Sequence, residues 1–596
     1  MSATAWTVGR YVVETLAANG IDTVFGIPGV HNIELYRGLE FARLRHVLVR
    51  HEQNAGFAAD GYARVSGCAA AAFVISGPGV TNALTAVAQA YSDSVPLLVI
   101  ASSPVRASLG KGWGVLHELD DQRAIAAGVA GLARSARGAP DVRDHLRAAF
   151  ATLHAARARP AYLEIPLDLL GEPTTLRPER FARSGAAPPP SPAALAAAQA
   201  LLAEAQRPLI IAGGGARRAG GALRKLVEAL DGYLITTVAG KGAVAESHPA
   251  SLGASLPYAP TQELVAAADV VVAAGTELSE TDVYTTTRLA MSGRLVRLDV
   301  EDQKLSDQFA ADVLVRGDAG ASLEMLAGAS RVRSGWRTAA GAAAAYRARI
   351  DAQFDSDTRA RLAAVRALRE ALPSDGVLFT DMTQIAYLGN YAFAAERPGL
   401  WFHPSGYGAL GYALPAAIGA KIAQPARAVV ALAGDFGVQF TLQELMTAVE
   451  LDLSLPVVVW NNGALGQIRD DMRAAGIAPI GVVARNPDFV ALAGACGATG
   501  VRVHEAAALA RCPSRGGQHQ GRRVHDHDHH QPPQPSHGQR SHDEGGAQYP
   551  GNAAERQSER GAGMIAPRAH KARTADGHQQ RARTHHDRKG HQWTHA

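Results

Sequence analysis

Asp435 and Asn462 are the two residues whose types and spacing point most directly to chemistry. They stand 27 residues apart in AGDFGVQFTLQELMTAVELDLSLPVVVWNNGALGQIRDDM (433–472). The pattern predicts a strand ending at Gly434-Asp435, a helix, and a second strand ending at Asn461-Asn462. Both side chains then lie at the carboxyl edge of adjacent parallel strands, where open α/β sheets bind ligands. One charged and one neutral oxygen suit Mg²⁺, which takes few protein ligands and fills its octahedron with phosphate oxygens and water. A helix N-terminus beside Asp435 adds a field that favours a diphosphate. An Asp cap followed by an unrelated Asn turn is the plain alternative, and the βαβ spacing between the two residues argues against it.

The elements that must position such a site recur along the chain. Short apolar runs alternate with Ala-rich helical stretches: HVLVRHE (46–52), AAAAFVIS (69–76) and PLLVIAS (96–102) near the start. PLIIAGGG (208–215), YLITTVAGKG (233–242), ADVVVAAGTE (268–277) and RLVRLDVE (294–301) follow a linker-like RSGAAPPPSPAA (183–194). A third set is GVLFTDM (376–382), AVVALAGD (428–435) and LPVVVWNN (455–462). Runs of this length between helices predict buried parallel strands. The expected fold is α/β, with three doubly wound parallel-sheet domains over residues 1–175, 190–330 and 365–510.

Composition fits that fold and excludes several functions. The chain has 596 residues, 47% hydrophobic and 19% charged, which is globular. Cys68, Cys496 and Cys512 form neither a disulfide framework nor a paired zinc pattern. No run of 18 apolar residues and no basic-then-apolar leader occurs, so a cytoplasmic protein without a membrane role is expected. The formal charge of +4 resides in the tail. Residues 511–596 hold 14 Lys and Arg against 8 Asp and Glu, leaving residues 1–510 at −2. The body therefore has no electrostatic footprint for nucleic acid.

With these motifs on the page, the chain resembles the thiamine-diphosphate-dependent enzymes of the acetolactate synthase and pyruvate decarboxylase superfamily. Their diphosphate motif opens Gly-Asp-Gly and closes Asn-Asn; here it opens Gly434-Asp435-Phe436, a departure that spares both ligand side chains. The resemblance implies Mg²⁺ held by Asp435, Asn462 and the carbonyl of Ala464. It makes residues 1–175 the pyrimidine-binding domain and residues 365–510 the diphosphate-binding domain. VFGIPGVHNIELYRGL (24–39) and VRHEQNAGFAADGYARVSG (49–67) match the pyrimidine half. Glu52 then bonds N1′ of the aminopyrimidine and favours its imino tautomer. Pro28, Pro78 and Asn82 border the cofactor, the latter two within SGPGVTNALTAVAQAYSDSVPLLVI (76–100). In PSGYGALGYALPAAIGAKI (404–422), Leu410 supports the bent cofactor and the Gly408 carbonyl accepts from its amino group. Thr383 and Gln384 contact the diphosphate, beside Gly434. A homodimer or homotetramer is implied, with sites between the first domain of one chain and the third of another.

Specificity reads from departures within the superfamily. GTELSETDVY (275–284) lacks the arginine-rich string of FAD-binding acetolactate synthases, so FAD is not expected. Val30-His31 stands where pyruvate decarboxylases have an Asp after Pro-Gly, their adjacent His pair has no counterpart near residue 115, and His117-Glu118 stands where acetolactate synthases have Gln-Glu. Asp470 and Asp471 occupy the stretch where acetolactate synthases place a selecting tryptophan. A carboxylate there is costly against an alkyl substrate and a natural acceptor for a guanidinium. These six residues are the expected substrate pocket, and the combination resembles decarboxylases of 5-guanidino-2-oxopentanoate. Acetolactate-synthase-type carboligation is the alternative, and an inactive cofactor-binding relic the second.

The tail from Arg511 changes character. RVHDHDHHQPPQPSHGQRSHDEGG has no hydrophobic period, and the chain uses 52 Arg against 7 Lys, as a GC-rich gene would. A disordered or frameshifted tail over 511–596 is expected, leaving the third sheet one strand short with an exposed edge.

Overall fold

Strand runs with no polar alternation must be covered on both faces, and each sheet here is. A computed structural model describes residues 6–183, 187–284, 289–329, 334–509 and 523–528. The first sheet comprises β1 (Thr23–Gly26), β2 (Arg45–Leu48), β3 (Ala70–Val74), β4 (Leu97–Ser103), β5 (Leu132–Ser135) and β6 (Ala161–Pro166). The second comprises β7 (Pro208–Ala212), β8 (Tyr233–Thr236), β9 (Val270–Ala274), β10 (Arg294–Asp299) and β11 (Val313–Arg316). The third comprises β12 (Val377–Thr380), β13 (Trp401–Phe402), β14 (Val429–Gly434), β15 (Val457–Asn461), β16 (Thr499–Val503) and β17 (Arg523–Asp528). Their orders are β2-β1-β3-β4-β6-β5, β11-β10-β9-β7-β8 and β13-β12-β14-β15-β17-β16. Every pairing is parallel.

The period-2 geometry of a strand sorts neighbours onto opposite faces. Ala70, Ala72 and Val74 of β3 enter one core layer, while Ala71 and Phe73 enter another. The first of these layers continues into the third domain through Val377, Phe379, Val429, Ala431, Val457 and Val459. The joint is a pair of helices, Glu52–Ser66 and Ala413–Ala423. A Cβ on Gly61 would fall 2.0 Å from the Ala416 carbonyl oxygen, and one on Gly419 1.8 Å from that of Ala58. Only glycine permits backbones that close. A buried cluster seals the same joint: Tyr412 donates to Asp60 at 2.5 Å, and Arg64 pairs with Asp60 and Asp93 at 2.6 and 2.7 Å.

The expectation of a third sheet lacking its last strand is corrected. Residues Arg523–Asp528 pair in parallel with both neighbours, from Val457↔Val524 to Asn461↔Asp528 on one side and Thr499↔Arg523 to Val503↔His527 on the other. Ladder hydrogen bonds are made by backbone, so a run as polar as RVHDHD fills the slot. The other residues beyond 509 lie outside the described ones, and with them the remainder of the expected tail. Among the described residues, no helix is long and apolar enough to cross a membrane.

Candidate active site

The third-domain half is built at the carboxyl ends of β12, β14 and β15. Asp435 starts a short helix, Asp435–Gln439, and is 2% exposed. Burial pushes its carboxyl up, and the Asn486 amide, donating at 2.6 Å, pulls it back. Asn486 also donates to the side chain of Asn461 at 2.9 Å. Asn461 is thus the neighbour that shares Asn486 with Asp435. Asn462 accepts from the Ala464 amide at 3.2 Å, and its own amide lies beside Gly466 and the Gln384 carbonyl. Among the described residues, no cluster of three or more His, Cys, Asp or Glu could hold a metal. A single carboxylate among amides fits Mg²⁺ completed by phosphate and water, and does not fit a transition metal.

Thr383 immediately precedes the helix Gln384–Ala392 and abuts Gly434, where a Cβ would stand 3.1 Å from its side chain. Gln384 donates to Asp470 at 2.8 Å, and Arg469 pairs with the same carboxylate at 3.0 Å. Burial works to raise the Asp470 carboxyl, but Arg469 and Gln384 outweigh it and hold it below the ordinary range. Asp471 is exposed and accepts from Gln467 at 3.0 Å.

Gly408 and Leu410, both half-buried, sit on a turn fixed by Asp381. Gly411 adopts φ +83° and donates its amide to both Asp381 oxygens at 3.0 and 2.8 Å. Met382 donates to the same carboxylate at 2.8 Å, and burial pushes its pKa up to about 7. Neighbouring His403 is held neutral, its pKa driven down to about 3 by burial and the Arg64 charge. Sequence reasoning missed Asp381 and Asn486. An acid directly after the apolar run GVLFT was a usable signal for the first; a loop Asn 51 residues from Asp435 offered none.

The first-domain half lies at the ends of β1 to β3. Glu52 opens its helix, and Asn82 donates to it at 3.0 Å from the helix Pro78–Ser92. The turn Gly77-Pro78-Gly79 runs between Glu52 and His117. It is anchored from below: Gly77 donates to Gln122 at 2.7 Å, and Gln122 reaches Tyr162 and Glu164 at 2.8 and 3.1 Å. His31 bonds Ser76 and meets His117 edge-on, with ring centroids 5.2 Å apart. Burial and the neighbouring imidazole lower the pKa of His31. Nδ1 of His117 is buried with no hydrogen-bond partner among the described residues. Pro28 and Val30 face outward, Val30 63% exposed. Glu118 turns into its own loop and accepts from the amides of Gly112, Gly114 and Val115 at 2.7–3.2 Å.

Within one chain the two halves sit at opposite ends of the Pro78–Ser92 helix. Glu52 meets Asn82 near its start, whereas Ala409 and Gly406 donate to Gln89 and Asp93 at its end, at 3.1 and 2.9 Å. Seven to eleven helical residues amount to about 10–16 Å.

Comparison with known proteins places the three domains in a family. Three models of the thiamine pyrophosphate enzymes match: the N-terminal TPP binding domain over residues 6–125, the central domain over 195–326 and the C-terminal TPP binding domain over 381–523. The chain belongs to the thiamine pyrophosphate enzyme family. Its first and third domains are thiamine-pyrophosphate-binding domains. It is 49% identical over 501 residues to the "Probable 2-ketoarginine decarboxylase AruI" of Pseudomonas aeruginosa, covering 82% of this chain and 88% of that protein. The acetolactate synthase isozyme 3 large subunit of Escherichia coli is 30% identical over 518 residues, with 83% and 89% covered. The acetolactate synthase large subunit IlvB1 of Mycobacterium tuberculosis is 30% identical over 540 residues, with 85% and 87% covered.

Proposed function

We propose that this enzyme uses thiamine diphosphate and Mg²⁺ to decarboxylate a 2-oxo acid, with 5-guanidino-2-oxopentanoate (2-ketoarginine) as the favoured substrate. The observation that carries the reading is the 49% identity to a protein named for that reaction, together with Asp470-Asp471 near the site. When bound, thiamine diphosphate supplies a carbon nucleophile and an electron sink that allow the substrate carboxylate to leave as CO₂. The chain's own residues do the rest. Asp435, Asn462 and the Ala464 carbonyl hold Mg²⁺. Gly434, Thr383 and Gln384 border the diphosphate. Leu410 and the Gly408 carbonyl orient the rings, with Asp381 fixing their turn. Glu52 holds a proton at the pyrimidine nitrogen, and Asn82 holds Glu52.

Pro28, Pro78, Val30, His31 and His117 line the first-domain side, with Glu118 shaping their loop. The His31 imidazole there, its pKa lowered by burial and by the neighbouring His117, adds little charge of its own to oppose a cationic substrate. The separation of Glu52 from Leu410 along one helix supports sites completed by a second copy, hence a homodimer or homotetramer. FAD has no part in this reading. Carboligation of two 2-oxo acids is the second reading, favoured by the 30% identity to acetolactate synthases. The test is CO₂ release from 5-guanidino-2-oxopentanoate, pyruvate and 2-oxobutyrate, assayed side by side with product identification. A preference for the guanidino acid with aldehyde product is expected; preference for pyruvate with acetolactate product would overturn the reading.

A further inference from the structure

We propose that Asp471, Tyr387 and Tyr284 recognise the guanidinium end of the substrate, Asp471 by its carboxylate and the tyrosines by their ring faces. The proposal rests on the decarboxylase reading above and goes beyond it by separating Asp471 from Asp470 and adding two tyrosines. Of the adjacent aspartates, Asp470 is committed: Arg469 pairs with it and Gln384 donates to it. Asp471 accepts Gln467 on Oδ1, and a carboxylate with about four lone-pair sites retains capacity for a planar fork of N–H donors.

Tyr387 lies three residues after Gln384 on one helix, hence on the same face. Burial raises its phenol, and the nearby charges of Asp381 and Asp471 add to the rise. Its ring meets that of Tyr284 with centroids 6.4 Å apart at 43°. Tyr284 comes from the central domain, is 48% exposed, and holds φ +47°, a backbone state that a bulky residue adopts only at a cost. An exposed aromatic held at such a cost and in ring contact with Tyr387, which itself lies near Asp471, suits a guanidinium, which stacks on rings and pairs with carboxylates. An alkyl 2-oxo acid offers neither interaction.

The test uses the full chain with thiamine diphosphate and Mg²⁺, comparing kcat/KM for 5-guanidino-2-oxopentanoate with that for 2-oxohexanoate. Tyr387→Leu, Tyr284→Leu and Asp471→Asn should each lower this ratio about tenfold or more, and Tyr387→Phe should keep most of it. Calorimetric binding of the unreactive 5-guanidinopentanoate should weaken by a similar factor. If the variants lose activity on both substrates alike, or keep the ratio, the proposal is overturned while the decarboxylase reading stands. If the parent enzyme has no preference for the guanidino acid, both fall together.

Discussion

The two halves of the site are built on opposite principles. The third-domain half buries its charge: Asp435 is 2% exposed and Asp381 1% exposed, each surrounded by backbone amides or by Asn486. The first-domain half leaves Glu52 half-buried, tied by one amide from Asn82. A buried carboxylate among fixed dipoles is prepared for a cation that arrives with its own phosphate oxygens. A half-buried acid on a helix start can hand a proton to a ring and take it back. Anchoring and activation are therefore separable, and mutations should separate them.

The largest effect is expected from Asp435→Ala. On the Mg²⁺-holding role proposed for it, Mg²⁺-dependent affinity for thiamine diphosphate should fall on the order of 100-fold or more. Cofactor titration with and without chelator measures this, and equal affinities in parent and variant would contradict the anchoring role. Glu52→Gln should act on the other half alone. Exchange of the thiazolium C2 proton should slow on the order of 100-fold or more while diphosphate affinity stays within a few fold. NMR-monitored exchange at the parent rate would remove Glu52 from that role.

A smaller effect sharpens the comparison through pH. His403 is buried neutral with its pKa near 3, below the ordinary 6.5, so the unfolded chain binds the proton more readily between those values. Its contribution is present above about pH 6.5 and is lost as pH falls towards 3. Asp381 has the opposite sign: with its pKa raised to about 7, its folded form prefers the proton, so its contribution is lost as pH rises from about 4 to 7. Across their shared range the two oppose one another. Denaturant melts from pH 4.5 to 7 should show His403→Gln losing stability relative to the parent as pH rises, and Asp381→Asn gaining. Parallel curves would show that neither group titrates as its burial demands.

Much of this was legible in the sequence, for physical reasons that differ by element. Unbroken runs such as AAAFV and LLVIASS announce strands covered on both faces, which is how β3 and β4 are packed. The helix-start positions of Glu52 and Asp435 were legible because each follows an apolar strand run, where parallel strands meet a helix N-terminus. β17 was not, because RVHDHD earns its place through backbone pairing and carries no apolar pattern. Nor was the contact of Gly61 with Ala416, since close approach of two helices is a tertiary event that local spacing does not encode. Asp470 illustrates a third case: its position was legible, but its capture by Arg469 and Gln384 required coordinates.

The central claim is that Glu52 of one chain acts with Asp435 and Leu410 of another. Mixing Glu52→Gln with Asp435→Ala tests it most directly, after denaturation and co-refolding or co-expression with two tags to confirm hybrids. If sites are shared, each hybrid dimer carries one site with both substitutions and one with neither. Statistical mixing then predicts recovery of about a quarter of parental CO₂ release from two inactive parents. Confirmed hybrids with no recovered activity would place each site within a single chain and contradict the account.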